Sequence, residues 1–320
     1  MSGSPSNGVS ANPLQQRLGQ ELYAKRLKRQ TDKFTKLIHQ GEGVFRVERV
    51  LPFDAVVSGF FRLFGLRKAM RKRFLDVQVV RQEWFFSTLP AAFDGFRLLQ
   101  LTDLHCDLDP ALMPVVIDLV RGTAHDAAVI TGDFRNAMEG DHTASLRDMQ
   151  SLNAVLSQQR WGVLGNHDSM EMVAELESSG LPILLNEAVE IVRGQDSLGL
   201  AGIDDPHYYK THDLAAARKC ISAGTFAILL SHSPETYPEA ERLGFDFQLS
   251  GHTHGGQICL PGGWPIVVPT HVPKRFVSGR WRHGRLPGYT SRGTGACGVP
   301  ARWNCPPEIT LHVLRRGGRT

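Results

Sequence analysis

Phe245-Asp246-Phe247-Gln248-Leu249-Ser250-Gly251-His252-Thr253-His254-Gly255-Gly256 is a short apolar run that stops at a small, histidine-rich turn. Working outward, the same design recurs four more times. Phe96 to Leu101 leads into Thr102-Asp103-Leu104-His105, and Ala127 to Ile130 into Thr131-Gly132-Asp133. Trp161 to Leu164 leads into Gly165-Asn166-His167-Asp168, and Phe226 to Leu230 into Ser231-His232-Ser233-Pro234. Runs of this length bounded by turn formers predict buried strands. Pro110 to Arg121, Ser145 to Ser157 and Ser169 to Ser178 read as helices between them. The alternation predicts an α/β body.

In open α/β sheets ligands gather beyond the carboxyl ends of strands, where the loops diverge. All five polar clusters take that position. Their donors are carboxylate, amide and imidazole with no thiolate, a set suited to Mn, Fe, Zn or Mg. Seven donors exceed the needs of one tetrahedral ion and match two divalent ions sharing a carboxylate. In extended backbone, residues two apart face the same side, so Asp103 should point with His105 and His252 with His254. Gly132, Gly165 and Gly251 would let the backbone approach closely. Taken singly, each cluster reads equally as a turn or a helix cap. The ordered set of five, with imidazoles crowded at buried strand ends, argues for a site.

This set resembles the calcineurin-like metallophosphoesterase superfamily over roughly residues 96–314. Leu249 to Ile258 followed by Leu260-Pro261-Gly262, then Ser291-Arg292-Gly293-Thr294-Gly295 and Cys305-Pro306-Pro307-Glu308-Ile309, looks like its YkuE/YaeI-like bacterial phosphodiesterase branch. The resemblance implies a four-layer sandwich, two mixed β-sheets face to face with helices outside. It implies one metal ion on Asp103, His105, Asp133 and His254, and a second on Asp133, Asn166, His232 and His252. A water shared by the ions would attack phosphorus as hydroxide. His167 would sit beside the phosphate to stabilise charge or protonate the leaving oxygen, with Asp168 orienting its ring. Asn166, His167 and Arg135 are the candidate substrate contacts. Many members have Asp where this chain has Asn136, which keeps hydrogen bonding but brings no charge.

Other signals are weaker. Gly293 to Gly298 spells G-x-G-x-x-G, but Pro300, Pro306 and Pro307 forbid the helix that a dinucleotide fingerprint requires, so it reads as a loop rimming the site. Cys106 reads as a buried, inert thiol. Asp204, Asp205 and His207 follow a further strand-like run, Leu198 to Ile203, and read either as part of the substrate pocket or as a capped turn.

The 320 residues are 42% hydrophobic, enough for a substantial core, and their charge is unevenly placed. Residues 1–90 hold 16 Lys and Arg against 7 Asp and Glu; the remaining 230 hold 20 against 25. This divides the chain into a basic N-terminal arm, partly helical over Gln15 to Gln40, and a catalytic body at 91–320, and it argues against a nucleic-acid partner. Five cysteines without a C-x-x-C pair fit a reducing compartment. No signal peptide or transmembrane helix is apparent, so a cytoplasmic location is expected. Phe53, Val56, Val57, Phe60, Phe61 and Phe64 lie at helical spacing before a basic tail ending near residue 74. That segment, 53–74, reads either as a peripheral contact with the inner face of the cytoplasmic membrane or as a face docked on the body.

The function expected is therefore a phosphodiesterase with two divalent metal ions, acting on a phosphate ester. An alternative follows from the basic, aromatic arm: a UDP-2,3-diacylglucosamine diphosphatase acting on a lipid-linked substrate at the membrane surface. A second alternative is a scaffold of the same fold without catalysis, against which the complete donor set argues.

Overall fold

A computed structural model describes residues 12–38, 67–270 and 272–318. Helices α1 (Pro13–Leu18), α2 (Gln20–Ile38) and α3 (Arg67–Phe74) precede the first strand, β1 (Gln78–Phe86). The aromatic stripe from Phe53 to Phe64 lies outside the described residues, and only the basic end of segment 53–74 falls within them, as α3. Two mixed sheets follow. The first has five strands in the order β1, β13 (Glu308–Arg316), β2 (Arg97–Leu101), β3 (Ala127–Thr131) and β4 (Arg160–Val163). The second has six, in the order β11 (Gly279–His283), β12 (Leu286–Thr290), β8 (Phe247–Ser250), β7 (Phe226–Leu230), β6 (Asp196–Gly202) and β5 (Glu187–Arg193).

Side-chain alternation builds the layers. Leu98, Ala127 and Val129 face Leu200, Phe226, Ile228 and Leu249 of the opposite sheet, while Leu99, Leu101, Ala128 and Ile130 point outward. The outer face of the first sheet is covered by Leu112–Arg121, Thr143–Asn153 and Met172–Ser178. Leu214–Lys219 and Tyr237–Arg242 cover the second. The result is the four-layer sandwich expected, with the central strands buried on both sides.

Gln78–Phe86, placed above in the arm, pairs in parallel along all of Glu308–Arg316 and forms an edge of the first sheet. Its apolar and polar residues mix because an edge strand is only half covered, so it carries no buried-run signature. The body therefore begins before residue 91. Helices α1 and α2 lie against it. Arg17 bridges Glu177 and Glu187 at 2.8 and 2.7 Å, Arg29 donates to the Tyr208 carbonyl, and Gln30 joins Glu171 to the Met170 amide. Arg26 is wholly buried, ion-paired to Asp204 at 3.1 Å, stacked on Tyr209 and donating to the Asp168 carbonyl. No described helix is long and apolar enough to cross a membrane.

Candidate metal centre

Strands β2, β3 and β4 run parallel, as do β6, β7 and β8, so their carboxyl ends open on one edge of the sandwich. Beyond the strands the loops keep bonding one another. The Asp103 amide donates to the Gly132 carbonyl, His105 to Asp133, and Gly251 to His232. The extended alternation expected for Asp103 with His105, and for His252 with His254, is not what aligns them. All four residues, and Asp133, have left-handed backbone with φ between 43° and 69°. For L-residues this costs about 1–2 kcal/mol each, which the surrounding bonds hold in place. Two glycines give the room: a Cβ on Gly165 would fall on the Asp133 carboxylate, and one on Gly251 on Thr102 Oγ1 and Asp103 Oδ2.

The seven predicted donors converge. Asp133 Oδ2 lies 3.3 Å from His232 Nε2 and 3.7 Å from His105 Nε2. On the other side, His254 Nε2 lies 3.4 Å from Asp103 Oδ1 and 3.3 Å from His105 Nε2. Asn166 Oδ1 is 3.1 Å from His232 Nε2, and the His252 ring packs 5.0 Å from that of His232. All seven are buried. Backbone carbonyls aim the imidazoles: His105 Nδ1 is 2.9 Å from the Arg135 oxygen and His232 Nδ1 2.7 Å from that of Thr131. With a proton on Nδ1, Nε2 of each ring faces the carboxylates.

The neighbours of this cluster differ from expectation in two ways. Asp168 does not touch the His167 ring. Its carboxylate accepts the amides of Asp133, Phe134 and Gly165 at 2.8–2.9 Å, clamping the loops after β3 and β4 together. The His167 ring is instead held by the Asn136 carbonyl, 2.7 Å from Nδ1, while the Asn136 side chain accepts from the Gly298 amide. Asp107, which the sequence did not single out, accepts the amides of Asn136 and Ala137 and so fixes that carbonyl. Arg135 is buried with its guanidinium on the carbonyls of His167, Met138 and Gly140 rather than turned toward a substrate. It braces the loop.

The Gly293 to Gly298 loop does rim the site. The Thr294 and Gly295 amides donate to the Thr102 and Asp103 carbonyls, and Cys297 Sγ comes 3.7 Å from His167 Nε2. Cys297 thus joins His105 and His254 in a third group of metal-capable atoms, a thiol where none was expected. Arg302, also missed, is wholly buried behind His254 and donates to the His254 and Gly295 carbonyls. Cys106 lies in the outer core beside Met113, its thiol pushed up by burial. Asp205 caps the turn by accepting the amides of His207, Tyr208 and Tyr209, and Asp204 serves Arg26. His207 reaches the site, its ring 4.2 Å from His252.

The charges fit cations. Burial, partly offset by His232 and reinforced by Asp133, raises Asp103, while burial pushes His105 down to about 4. At His232 burial is overcome by the Asp133 carboxylate, and the ring is raised to about 10. A buried cluster of carboxylates and imidazoles, with burial keeping His105, His252 and His254 neutral and His252 Nε2 left without a hydrogen-bond partner, is what a divalent ion would complete.

Comparison with known proteins shows the family. A family model described as calcineurin-like phosphoesterase matches residues 96–256. The Bacillus subtilis protein YkuE, named an uncharacterized metallophosphoesterase, is 29% identical over 240 residues, covering 72% of this chain and 82% of YkuE. Phosphodiesterase YaeI of Escherichia coli is 28% identical over 228 residues, covering 68% and 82%. A Danio rerio transmembrane protein with a metallophosphoesterase domain is 28% identical over 301 residues, covering 82% of this chain and 65% of that protein.

Proposed function

The chain belongs to the calcineurin-like phosphoesterase family and is a metal-binding hydrolase of phosphoric esters, and from that premise we propose that it hydrolyses a phosphodiester at a pair of divalent cations. The observation that carries the reading is the convergence of seven buried donors from five strand ends, with Asp133 between two histidine groups. Asp103, His105, Asp133 and His254 would hold one cation, and Asp133, Asn166, His232 and His252 the other. Such a pair supplies Lewis acidity and lowers the pKa of water. Mn, Zn, Fe and Mg all suit the donors.

His167 would act on the substrate itself. Its Nδ1–H is committed to the Asn136 carbonyl, so Nε2 faces the cluster, 4.0 Å from Asp133 Oδ2. From there it can hydrogen-bond a phosphoryl oxygen or pass a proton to the leaving oxygen. Asp168, Asn136 and Arg135 are positioning residues that keep this loop in register with β3.

The test is turnover of bis-p-nitrophenyl phosphate by the full chain with added Mn²⁺, abolished by EDTA. Absence of turnover with each of the four metals would favour the scaffold reading instead. A second reading, hydrolysis of UDP-2,3-diacylglucosamine at a membrane surface, is favoured by the exposed apolar side chains of Leu260, Trp264 and Ile266, which follow the His254–Gly256 turn closely in the chain. It predicts UMP release from that compound in detergent micelles, and fails if none is released.

A further inference from the structure

The turn at His254–Gly256 runs straight into a hairpin of β9 (Cys259–Leu260) and β10 (Trp264–Pro265). Gly256 packs directly against Pro265, so the hairpin stands two residues from a predicted metal ligand. Its tip is apolar and uncovered: Leu260 is 56% exposed, Trp264 59% and Ile266 56%. These are the large hydrophobic side chains that folding normally hides, and three of them share one protrusion.

The sequence around it is rich in cations, of which Arg71 and Arg292 are paired with Asp109 and Glu308. From Phe247 to Pro307 the chain has seven Lys and Arg and no Asp or Glu, and Lys274 lies 4.9 Å over the Trp264 ring. Helix α3, whose sequence is RKAMRKRF, adds five basic residues and no acidic one. It is anchored beside the hairpin. Met70 packs on Val299 and Ala301, and Arg73 lies 4.1 Å over the Trp303 ring. Trp303 in turn exchanges backbone hydrogen bonds with the base of the hairpin, at Gln257 and Cys259.

An apolar tip with Lys274 at its side and the basic helix α3 beside its base is complementary to an anionic lipid surface, where the tip enters the acyl boundary and the cations meet phosphate headgroups. A polar protein partner would leave the tip uncovered, and a second copy would set the two basic faces against each other. We propose that the 259–266 hairpin and helix α3 form a bilayer-docking face that brings the metal centre to phosphate esters at an anionic membrane. It involves described residues only and is independent of the 53–66 stripe.

Sedimentation of the full chain with vesicles of phosphatidylcholine, alone and mixed with phosphatidylglycerol, tests this without any need for turnover, so its outcome is separate from that of the catalytic reading. Binding is expected to the mixed vesicles only. The double variant Trp264→Ser, Ile266→Ser should weaken it about tenfold, as should Lys68→Glu, Lys72→Glu, with circular dichroism and thermal unfolding unchanged. Absence of wild-type binding, or equal binding by both variants, would overturn the proposal. So would a hairpin-dependent dimer that ignores vesicles.

Discussion

The imidazole of His167 is oriented by the carbonyl oxygen of Asn136, 2.7 Å from Nδ1, and not by the carboxylate of the adjacent Asp168. A backbone carbonyl fixes the tautomer as a carboxylate would, but adds no full negative charge to raise the ring's basicity. His167→Ala should therefore retain metal and lose about a hundredfold or more of kcat, the usual range for a general acid. Metal analysis and turnover on one preparation decide it. Loss of metal along with rate would make His167 a ligand instead.

Asp133 stands between His105 and His232, at 3.7 and 3.3 Å. Asp133→Asn should bring both metal content and turnover to background while the fold persists by circular dichroism. Retention of two metal equivalents would remove Asp133 from the bridging position.

Asp168 accepts three amides from two loops, a task an amide side chain cannot repeat because its NH₂ would face N–H donors. Asp168→Asn should lower stability by about 2 kcal/mol or more, the cost of leaving such groups unsatisfied. Urea unfolding reads this directly. A variant as stable as the wild type would show that the clamp bears little of the loop geometry.

Arg26 ties α2 to the back of the same loop, through the Asp168 carbonyl and the buried Asp204. Arg26→Met leaves a carboxylate buried without its partner and should cost about 3–5 kcal/mol, whereas Arg26→Met with Asp204→Leu should recover most of it. Paired thermal melts compare the two. Equal loss in both would mean that packing, not charge, accounts for the effect.

Far from the site, Asp126 is drawn both ways: burial would raise its carboxyl, but the guanidinium and amide of Arg97 hold it below the usual value. A depressed folded pKa stabilises the fold above the unfolded value of about 3.9 and loses that contribution as pH falls through the folded one. Asp126→Asn should thus cost about 1 kcal/mol at neutral pH, a modest figure because the pair is partly exposed, and progressively less in acid. Urea midpoints at several pH values check the sign; a difference that grew in acid would contradict it.

Two-sided burial made the central parallel strands legible, though β12 and β13, also interior, were not read as strands. β2, β3, β7 and β8 are covered on both faces and therefore read as unbroken apolar runs, and the ligands stand out as polar residues at their ends. β1, β5 and β11 are edges, with half-exposed faces whose mixed composition hides them, whereas the fourth edge, β4, was legible because the chain at Ile183 pairs beside its Gly162 and covers it. The supports of the site were hidden for another reason. Asn136 acts through its carbonyl, Asp107 through backbone amides, and Arg302 from far along the chain, and none of these leaves a local pattern of side-chain types. Proximity in sequence also misled, since Asp168 follows His167 but serves Asp133.

Five of the site's residues, Asp103, His105, Asp133, His252 and His254, occupy a backbone region that suits glycine or asparagine better. Laboratory evolution under heat alone would then be expected to erode these five positions first, while leaving the sandwich intact. On the proposed roles, substitutions at these positions would make the chain hardier and idle together, so that endurance and turnover pull these five residues in opposite directions.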